Sequence, residues 1–358
     1  MNQRSFRPGF ALLDLAMLLA ATGALVAVSL PMLASTSCDS REQKSIEQLR
    51  RLGMAHAAYA ADWDDRQFTL ARDDLGLAGG SCAAYQAAFG CHPPVGLGVG
   101  CDGSDIGYYF GCGGAGGSCN NFVVVPPINF SGVFESAGSF RLPAARGFHE
   151  YVGGRFFDPA FYAPKDDVVR SFIEPLLDAE CLPGDLDVAS VFSASYVTSP
   201  AAMYHPEVFG ATTGEWDDPD DLPFGYESPT VSQAKHPSLK SRMLEHHWLQ
   251  NRPEPCNPAF ATGYGDCEPY YFNHGLQSRP MTLFYDGHVR GLSTLEAIMA
   301  DARVVTQTDG EEYLWLRDTP LGDNGYLIDY SYDFAQTSYH ILTARGIRGR
   351  DTVSAGAP

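Results

Sequence analysis

A long apolar segment close to the N-terminus limits the possible folds of this chain more than any other part of the sequence. Residues 10–33 read FALLDLAMLLAATGALVAVSLPML and carry one charge, that of Asp14. A helix of this length measures about 36 Å, which is enough to cross a hydrocarbon core of roughly 30 Å. Arg4 and Arg7 precede the segment and place the N-terminus in the cytoplasm. The segment predicts a single-pass helix in the cytoplasmic (inner) membrane, with the rest of the chain outside the cytoplasm.

Three other interpretations of this segment are open. A cleaved secretory signal has an apolar stretch of roughly 7–15 residues, shorter than this one and without a carboxylate. A lipoprotein signal would end at Cys38, although Ser35 and Thr36 stand where lipidation favours an aliphatic residue. A buried helix of a soluble protein is the third, but apolar residues on every side at this length favour lipid. The membrane anchor is the preferred interpretation.

Asp14 is the most informative residue of the segment. An ionised carboxylate inside a bilayer costs about 2.5–3.5 kcal/mol on insertion scales, so it normally marks a function or a partner. Hydration at the cytoplasmic interface is the simpler explanation. If the chain is cut between Gly9 and Phe10, however, the new amine of Phe10 lies one helical turn from Asp14. Pairing the two charges, within one chain or between neighbouring chains, would neutralise both.

The octapeptide RPGFALLD, residues 7–14, resembles the processing site of type IV prepilins and type II secretion pseudopilins. The resemblance implies a leader peptide at 1–9, cleavage after Gly9 by a prepilin peptidase and N-methylation of Phe10. It also implies that Asp14 guides self-association into a helical filament through the N-terminal helix, with membrane lipid and the inner-membrane assembly machinery as partners. The chain departs from the family at Asp14, where Glu is usual, and at Ala11, where Thr or Ser is common.

Residues 34–65 predict an amphipathic stalk helix. Small and apolar side chains recur there at steps of three and four, which defines one helical face: Ile46, Leu49, Gly53, His56, Ala60 and Trp63. On this face His56 is interpreted as a core histidine rather than a ligand. The segment LRRLGMAHAAYAADWDDRQF also resembles the stalk of large prepilin-like proteins.

The predicted fold class is α+β and pilin-like. A transmembrane and stalk helix, continuous from residue 10 to about residue 62, would pack on an antiparallel β-sheet head formed by residues 66–358. Glycine and cysteine are concentrated in residues 76–119, which predicts loop insertions in that head rather than helices.

The cysteines predict disulfides in an oxidising compartment. Nine cysteines is an odd number, so at least one thiol stays free or pairs between chains, and Cys38 is the candidate. If the other eight all pair, 105 connectivities remain open. No spacing of two close cysteine pairs indicates a zinc site. The disulfide candidates are Cys82, Cys91, Cys101, Cys112, Cys119, Cys181, Cys256 and Cys267.

A β-hairpin is predicted around Asp286-Gly287, because this dipeptide is flanked by short apolar segments and supplies the positive φ that a tight turn needs. The stretch NHGLQSRPMTLFYDGHVRGL, which includes His288, also resembles a hairpin near the C-terminus of large prepilin-like proteins. The resemblance therefore rests on segments at opposite ends of the chain.

Charge excludes one class of partner. Asp and Glu total 43 against 24 Lys and Arg, giving a net charge of -19, so nucleic acid is not expected to bind. Asp323, Asn324 and nearby Asp329 form a weak Ca²⁺ candidate, because major pseudopilins often hold Ca²⁺ in a C-terminal loop. A simple Asn-Gly turn between strands is the preferred interpretation. No other cofactor is expected.

An enzymatic function is not predicted. The best metal-like set contains two adjacent histidines, which diverge by about 100° on a helix and point to opposite faces of a strand. No H-E-x-x-H, G-x-S-x-G or P-loop motif occurs. The predicted function is that of a structural pilin or pseudopilin subunit, and the alternative is a membrane-tethered binding module. The set consists of Glu245, His246, His247, His274, Asp286 and His288.

Overall fold

The computed structural model describes the chain in sixteen ranges and single residues: 40–78, 82–89, 98–103, 105–106, 126–128, 138–177, 179, 181, 194–210, 216–248, 273–274, 279–316, 319, 328–329, 335–336 and 342–354. Residues 1–44 and 45–358 form separate compact units. Of the first unit only residues 40–44 are described, and they are helical.

Five α-helices occur in these ranges: α1 (residues 40–62), α2 (Cys82–Phe89), α3 (Arg146–His149), α4 (Asp167–Leu177) and α5 (Thr294–Gln307). α5 begins at a side-chain cap, because the hydroxyl of Ser293 accepts a hydrogen bond from the amide of Glu296 at 3.1 Å. Short 3₁₀ turns span Leu75–Ala78, Ser139–Arg141, Pro159–Phe161, Pro200–Ala202, Pro206–Phe209, Val231–Gln233 and Gly346–Arg348.

Ten strands are present in the described ranges: β1 (Gly98–Val99), β2 (Asp105–Ile106), β3 (Tyr196–Thr198), β4 (Ser241–Glu245), β5 (His247–Trp248), β6 (Asn273–His274), β7 (Met281–Phe284), β8 (Val289–Gly291), β9 (Ile328–Asp329) and β10 (Ala335–Gln336). The main sheet is antiparallel throughout, in the order β3-β4-β7-β8. Three two-stranded ladders accompany it: β1-β2 and β9-β10 are antiparallel, and β5-β6 is parallel.

The core lies on both faces of the main sheet. On one face Leu49 and Leu52 of α1 belong to a cluster with Met243 and Leu283 of the central strands. The opposite face contributes Val197 and Leu244 to a second cluster. The buried aromatic residues of this cluster are Tyr85, Phe140, Tyr204, Phe209 and Tyr226. A third cluster packs α5 against Phe284 and Trp315. Four extended strands can bury two faces because their side chains alternate between them.

α1 approaches the sheet closely at Gly53. A Cβ atom at this position would lie 3.3 Å from both terminal methyl carbons of Leu283, so any larger side chain would have to displace that leucine. The polar side of the same helix faces outward, where the side chains of Arg41, Lys44, Glu47 and Arg50 are exposed. This division of the helix follows the three-and-four spacing of its apolar residues.

In the described part of the chain, no helix is both long enough and apolar enough to cross a membrane. α1 is long enough, but the charges on its exposed side make it too polar. The prediction of a pilin-like fold with one continuous transmembrane and stalk helix is therefore wrong, and so is the inner-membrane location inferred from it. The described residues form an antiparallel four-stranded sheet with separate helices. The predicted leader (1–9) and span (10–33) lie outside the described residues.

Candidate functional site

The turn between β7 and β8 is formed by Asp286 and Gly287. The amide of Gly287 donates to the carbonyl of Phe284 at 3.0 Å, and Gly287 has a φ of 87°. Nδ1 of His288 lies 2.6 Å from Oδ1 of Asp286, while the imidazole stacks on the ring of Phe284 with centroids 4.3 Å apart. The two polar side chains of this turn therefore contact each other.

The metal-like set does not form a metal site in the part of the chain that is described, where no group of three such ligands converges. Glu245 is instead a structural acceptor with no solvent exposure. Its Oε1 accepts a hydrogen bond from the hydroxyl of Ser45 at 2.6 Å, and its Oε2 accepts one from the amide of Met281 at 2.9 Å. His247 and His274 lie in the paired strands β5 and β6.

Several other predicted site residues are outside the described residues: Gly9, Phe10, Asp14, Asp323 and Asn324. Asp329 lies in β9, where it is paired in register with Ala335.

Among the cysteines, Cys101 and Cys181 form a disulfide that joins the segment after β1 to the segment after α4. Cys82 is the first residue of α2. The remaining disulfide candidates lie outside the described residues: Cys91, Cys112, Cys119, Cys256 and Cys267.

A groove of about 760 Å³ lies beside α1 and the β7–β8 turn. From α1 it is lined by small residues, among them Gly53, Ala57 and Ala60, and from the sheet by Leu283 and Tyr285. Small side chains on the helix leave the space that larger ones would fill. The volume falls in the range of about 300–1,000 Å³ that is usual for small-molecule sites.

Arg242 reaches this groove because β4 contains a bulge. Ser241 pairs with Phe284 and Met243 pairs with Leu283, so Arg242 is an extra residue in the ladder between β4 and β7. In a regular strand Arg242 and Met243 would face opposite sides. Here Met243 packs in the same cluster as α1, and Arg242 lines the groove together with α1. A bulge commonly re-aims a side chain in this way beside a functional site.

The guanidinium of Arg242 is buried, and within the described ranges no carboxylate forms a salt bridge with it. The side chain is 4% exposed, and its Nε and Nη2 atoms have no hydrogen-bond partner among the described residues. Its Cζ lies 5.3 Å from the centroid of the Tyr285 ring, which is a cation–π contact. The hydroxyl of Tyr285 donates to Oε1 of Gln67, whose own amide nitrogen donates to the carbonyl of Ala202 at 2.6 Å. These hydrogen bonds therefore hold the ring of Tyr285, on which the guanidinium lies, in one position.

His56 of α1 is the second buried basic group in this region. Neither ring nitrogen has a hydrogen-bond partner in the described chain, and the imidazole lies 4.2 Å from the ring of Phe148 between centroids. Burial, together with the positive charge of Arg242, holds the pKa of His56 well below its ordinary value. His56 is therefore neutral, and it supplies no counter-charge to the guanidinium.

The groove is lined by both acidic and basic side chains, and Arg242 is its buried positive charge. Burial lowers the pKa of Arg242, while Tyr285 and Asp65 act in the opposite direction. Asp65 also lines the groove, but its Oδ2 accepts a hydrogen bond from the amide of Ser232 at 2.9 Å. Arg50 and Asp286 line the groove at exposed positions. The guanidinium is thus the strongest unsatisfied hydrogen-bond donor at this site among the residues described.

No protein-family model, curated protein or solved structure matches this chain. The residues themselves must therefore indicate what the site can do.

Sequence reasoning missed Arg242 altogether. In the strand SRMLE two polar residues precede two apolar ones, so the sequence shows no alternation that would place Arg242 on a buried face. Neither the bulge nor the burial of Arg242 has a local signature, because both depend on how β4 pairs with β7. The small residues on α1 were visible as a helical face, but nothing in their spacing indicated a groove beside them.

Proposed function

We propose that this chain is a structural subunit that is cleaved after Gly9, methylated on Phe10 and assembled with further copies of itself into a filament. The observation that carries the proposal is the sequence of residues 7–14, which resembles a prepilin processing site. Cleavage would create an amine one helical turn from Asp14. Pairing of that amine with the carboxylate, within or between copies, would neutralise both charges in an apolar bundle.

The attachment of α1 to the sheet supports a role as a rigid subunit. The hydroxyl of Ser45 donates to buried Glu245 at 2.6 Å and lies 2.8 Å from the hydroxyl of Tyr196. The side chain of Gln48 accepts from the same tyrosine at 2.8 Å and donates to the carbonyl of Pro159 at 2.7 Å. Pulling this helix away would leave buried polar groups unpaired, which is costly. These contacts support a subunit whose helix and sheet move as one body.

The first experiment is the mass of the N-terminal peptide of the protein produced together with a prepilin peptidase. We expect a peptide that begins with N-methylated Phe10. A peptide that begins at Met1, or a lipid-modified Cys38, would overturn the proposal and favour the binding module.

Assembly is tested by cross-linking the Asp14→Ala variant. We expect this variant to be cleaved normally but to lose at least nine-tenths of the cross-linked ladder that the native chain gives. Glu47→Ala is the matched control, because Glu47 is an exposed carboxylate of α1. Ladders of equal intensity in Asp14→Ala and the native chain would remove the assembly role of Asp14, and a native chain that gives no ladder would contradict assembly itself.

A further inference from the structure

Arg242 is unusual because it is buried while two of its guanidinium nitrogens have no hydrogen-bond partner among the described residues. Burying an ionised group without compensating hydrogen bonds costs several kcal/mol, so buried charges are normally paired. No salt bridge involves Arg242 in the described part of the chain, and two of its guanidinium nitrogens are unpartnered there. In the protein without a ligand, these two nitrogens do not form the hydrogen bonds that would offset their burial. This is the arrangement expected when a ligand supplies the missing acceptor.

The surroundings restrict the shape of that ligand. The groove beside Arg242 has apolar walls formed by α1 and Leu283, and it is large enough for a molecule of moderate size. Tyr285 is held beneath the guanidinium by its hydrogen bond to Gln67, so the aromatic surface that supports the guanidinium is set before binding, while Nε and Nη2 must turn toward the groove to reach a ligand. A preorganised site loses less side-chain entropy when it binds. The ligand would have an apolar body and one acceptor group at its end.

The charges restrict the acceptor. A guanidinium forms a rigid fork that matches a planar carboxylate with two parallel hydrogen bonds. Asp65 and Asp286 at the edge of the groove would repel a group with two negative charges, and the chain as a whole carries a net charge of -19. A monoanion is therefore favoured over a phosphate. Within a small apolar groove, the monoanion that fits the fork is a carboxylate.

We propose that the groove binds a small organic acid, with its carboxylate on the guanidinium of Arg242 and its apolar body between α1 and Leu283. This binding site is independent of the assembly described above, because it lies within residues 45–358 and uses none of residues 7–14. Its failure would leave the assembly proposal intact, and failure of processing at Gly9 would leave this site intact.

The experiment is a titration of the full chain with 4-phenylbutyrate and octanoate, followed by calorimetry and by NMR of the ligand. We expect saturable binding of at least one acid. The matching neutral amides, 4-phenylbutanamide and octanamide, should bind at least tenfold more weakly, because a hydrogen bond to a charged group contributes roughly 1.5–3 kcal/mol. Equal binding of acid and amide would overturn the proposal.

Two variants locate the ligand. Arg242→Gln removes the charge and should weaken binding of the acid at least tenfold without changing binding of the amide. Because this substitution lies in the core and could perturb folding, Ala57→Leu provides a second test at an exposed helical position that lines the groove. Its added side chain should occupy the groove and abolish binding. Ala58→Leu, the neighbouring exposed position outside the groove lining, is the control and should bind as the native chain does.

Other occupants would give different results. If the acceptor is an acidic side chain from a second copy, the native chain will self-associate in sedimentation experiments, Arg242→Gln will not, and the small acids will not bind. If inorganic phosphate displaces the acid at equal concentration, the site is a general anion site. Either result, or unchanged binding by Ala57→Leu, would contradict the assignment to an organic acid in this groove.

Discussion

Lys240 Nζ lies 3.0 Å from Asp351 Oδ2, and neither side chain has any exposed surface. The ammonium also donates to the hydroxyls of Ser199 and Thr343, both at 2.9 Å. Asp351 accepts a further hydrogen bond from the amide of Ser241 at 2.9 Å. The pair therefore attaches the end of the described chain to the start of β4. Its donors and acceptors are directed at each other and away from solvent, which makes it a structural element rather than a reactive one.

We predict that breaking this pair is strongly destabilising. Lys240→Met and Asp351→Leu should each lower the free energy of unfolding by roughly 3–5 kcal/mol, because each leaves a buried polar group without its partner. The double variant Lys240→Met/Asp351→Leu should lose less than the sum of the single variants. Denaturant titration of the three proteins measures the coupling. Strictly additive losses would show that the two side chains act independently.

A second prediction concerns Asp166. Burial raises the pKa of its carboxyl from 3.8 to about 6, despite the hydrogen bonds that it accepts from the hydroxyl of Ser195 at 2.6 Å and from the amide of Val169 at 3.2 Å. A raised pKa means that the folded protein holds this proton more tightly than the unfolded chain. The contribution to stability is therefore complete below pH 3.8 and is lost as the pH rises through about 6.

Asp166→Asn should remove this dependence. The variant should be more stable than the native chain at pH 7.5 by roughly 1–3 kcal/mol, and the difference should disappear near pH 4. Unfolding at both pH values measures it, with Glu174→Gln as the control, since Glu174 is an exposed carboxylate of α4. A variant that is less stable than the native chain at pH 7.5 would contradict the assigned cause.

His56 should produce the opposite pH dependence. Burial and the charge of Arg242 lower its pKa well below 6.5, so the folded chain resists a proton that the unfolded chain accepts. Stability should fall as the pH drops below 6.5, by about 2 kcal/mol at pH 5. His56→Leu should keep the apolar packing against Phe148 and lose this component. If the native chain and the variant lose stability in parallel between pH 7 and pH 5, His56 is not responsible.

Substitution of Gly287 measures the cost of backbone strain separately from that of steric crowding. The φ of Gly287 is 87°, and apart from the glycine itself and its two chain neighbours, no heavy atom lies within 4 Å of the place where a Cβ would stand. Gly287→Ala should therefore cost about 1–2 kcal/mol through conformation alone, while Gly287→Asn should cost less because Asn tolerates this region. Thermal unfolding of the two variants measures the difference. Equal losses would mean that the turn rearranges to accept either residue.

The Cys101–Cys181 disulfide closes a long loop, with a sequence separation of 80. In the chain-entropy treatment, a loop of this length corresponds to about 4 kcal/mol of stabilisation. The double variant Cys101→Ser/Cys181→Ser should therefore unfold at a markedly lower denaturant concentration than the native chain. The double variant is preferable to a reducing agent because it leaves the other cysteines unchanged. Unfolding at the native midpoint would show that this bridge does not constrain the unfolded chain.

The α1 helix shows what the spacing of apolar residues can predict and what it cannot. The three-and-four spacing between residues 46 and 63 reports which side of a helix is apolar, and in the structure Leu49 and Leu52 are fully buried. The spacing says nothing about whether the helix continues into a preceding segment. That extension rested on hydropathy and on a family resemblance, and no described helix meets the requirements of a membrane span.

Features whose physical cause is local can be predicted from the sequence. Asp286-Gly287 specifies its turn because glycine adopts positive φ without a steric penalty, and α1 has an apolar side because helical geometry repeats every 3.6 residues. Features that join distant segments depend on how the chain packs in three dimensions. Lys240 and Asp351 are separated by 111 positions, and Arg242 faces the groove because β4 slips by one residue against β7. Such contacts depend on strand register and burial, which single residues do not encode.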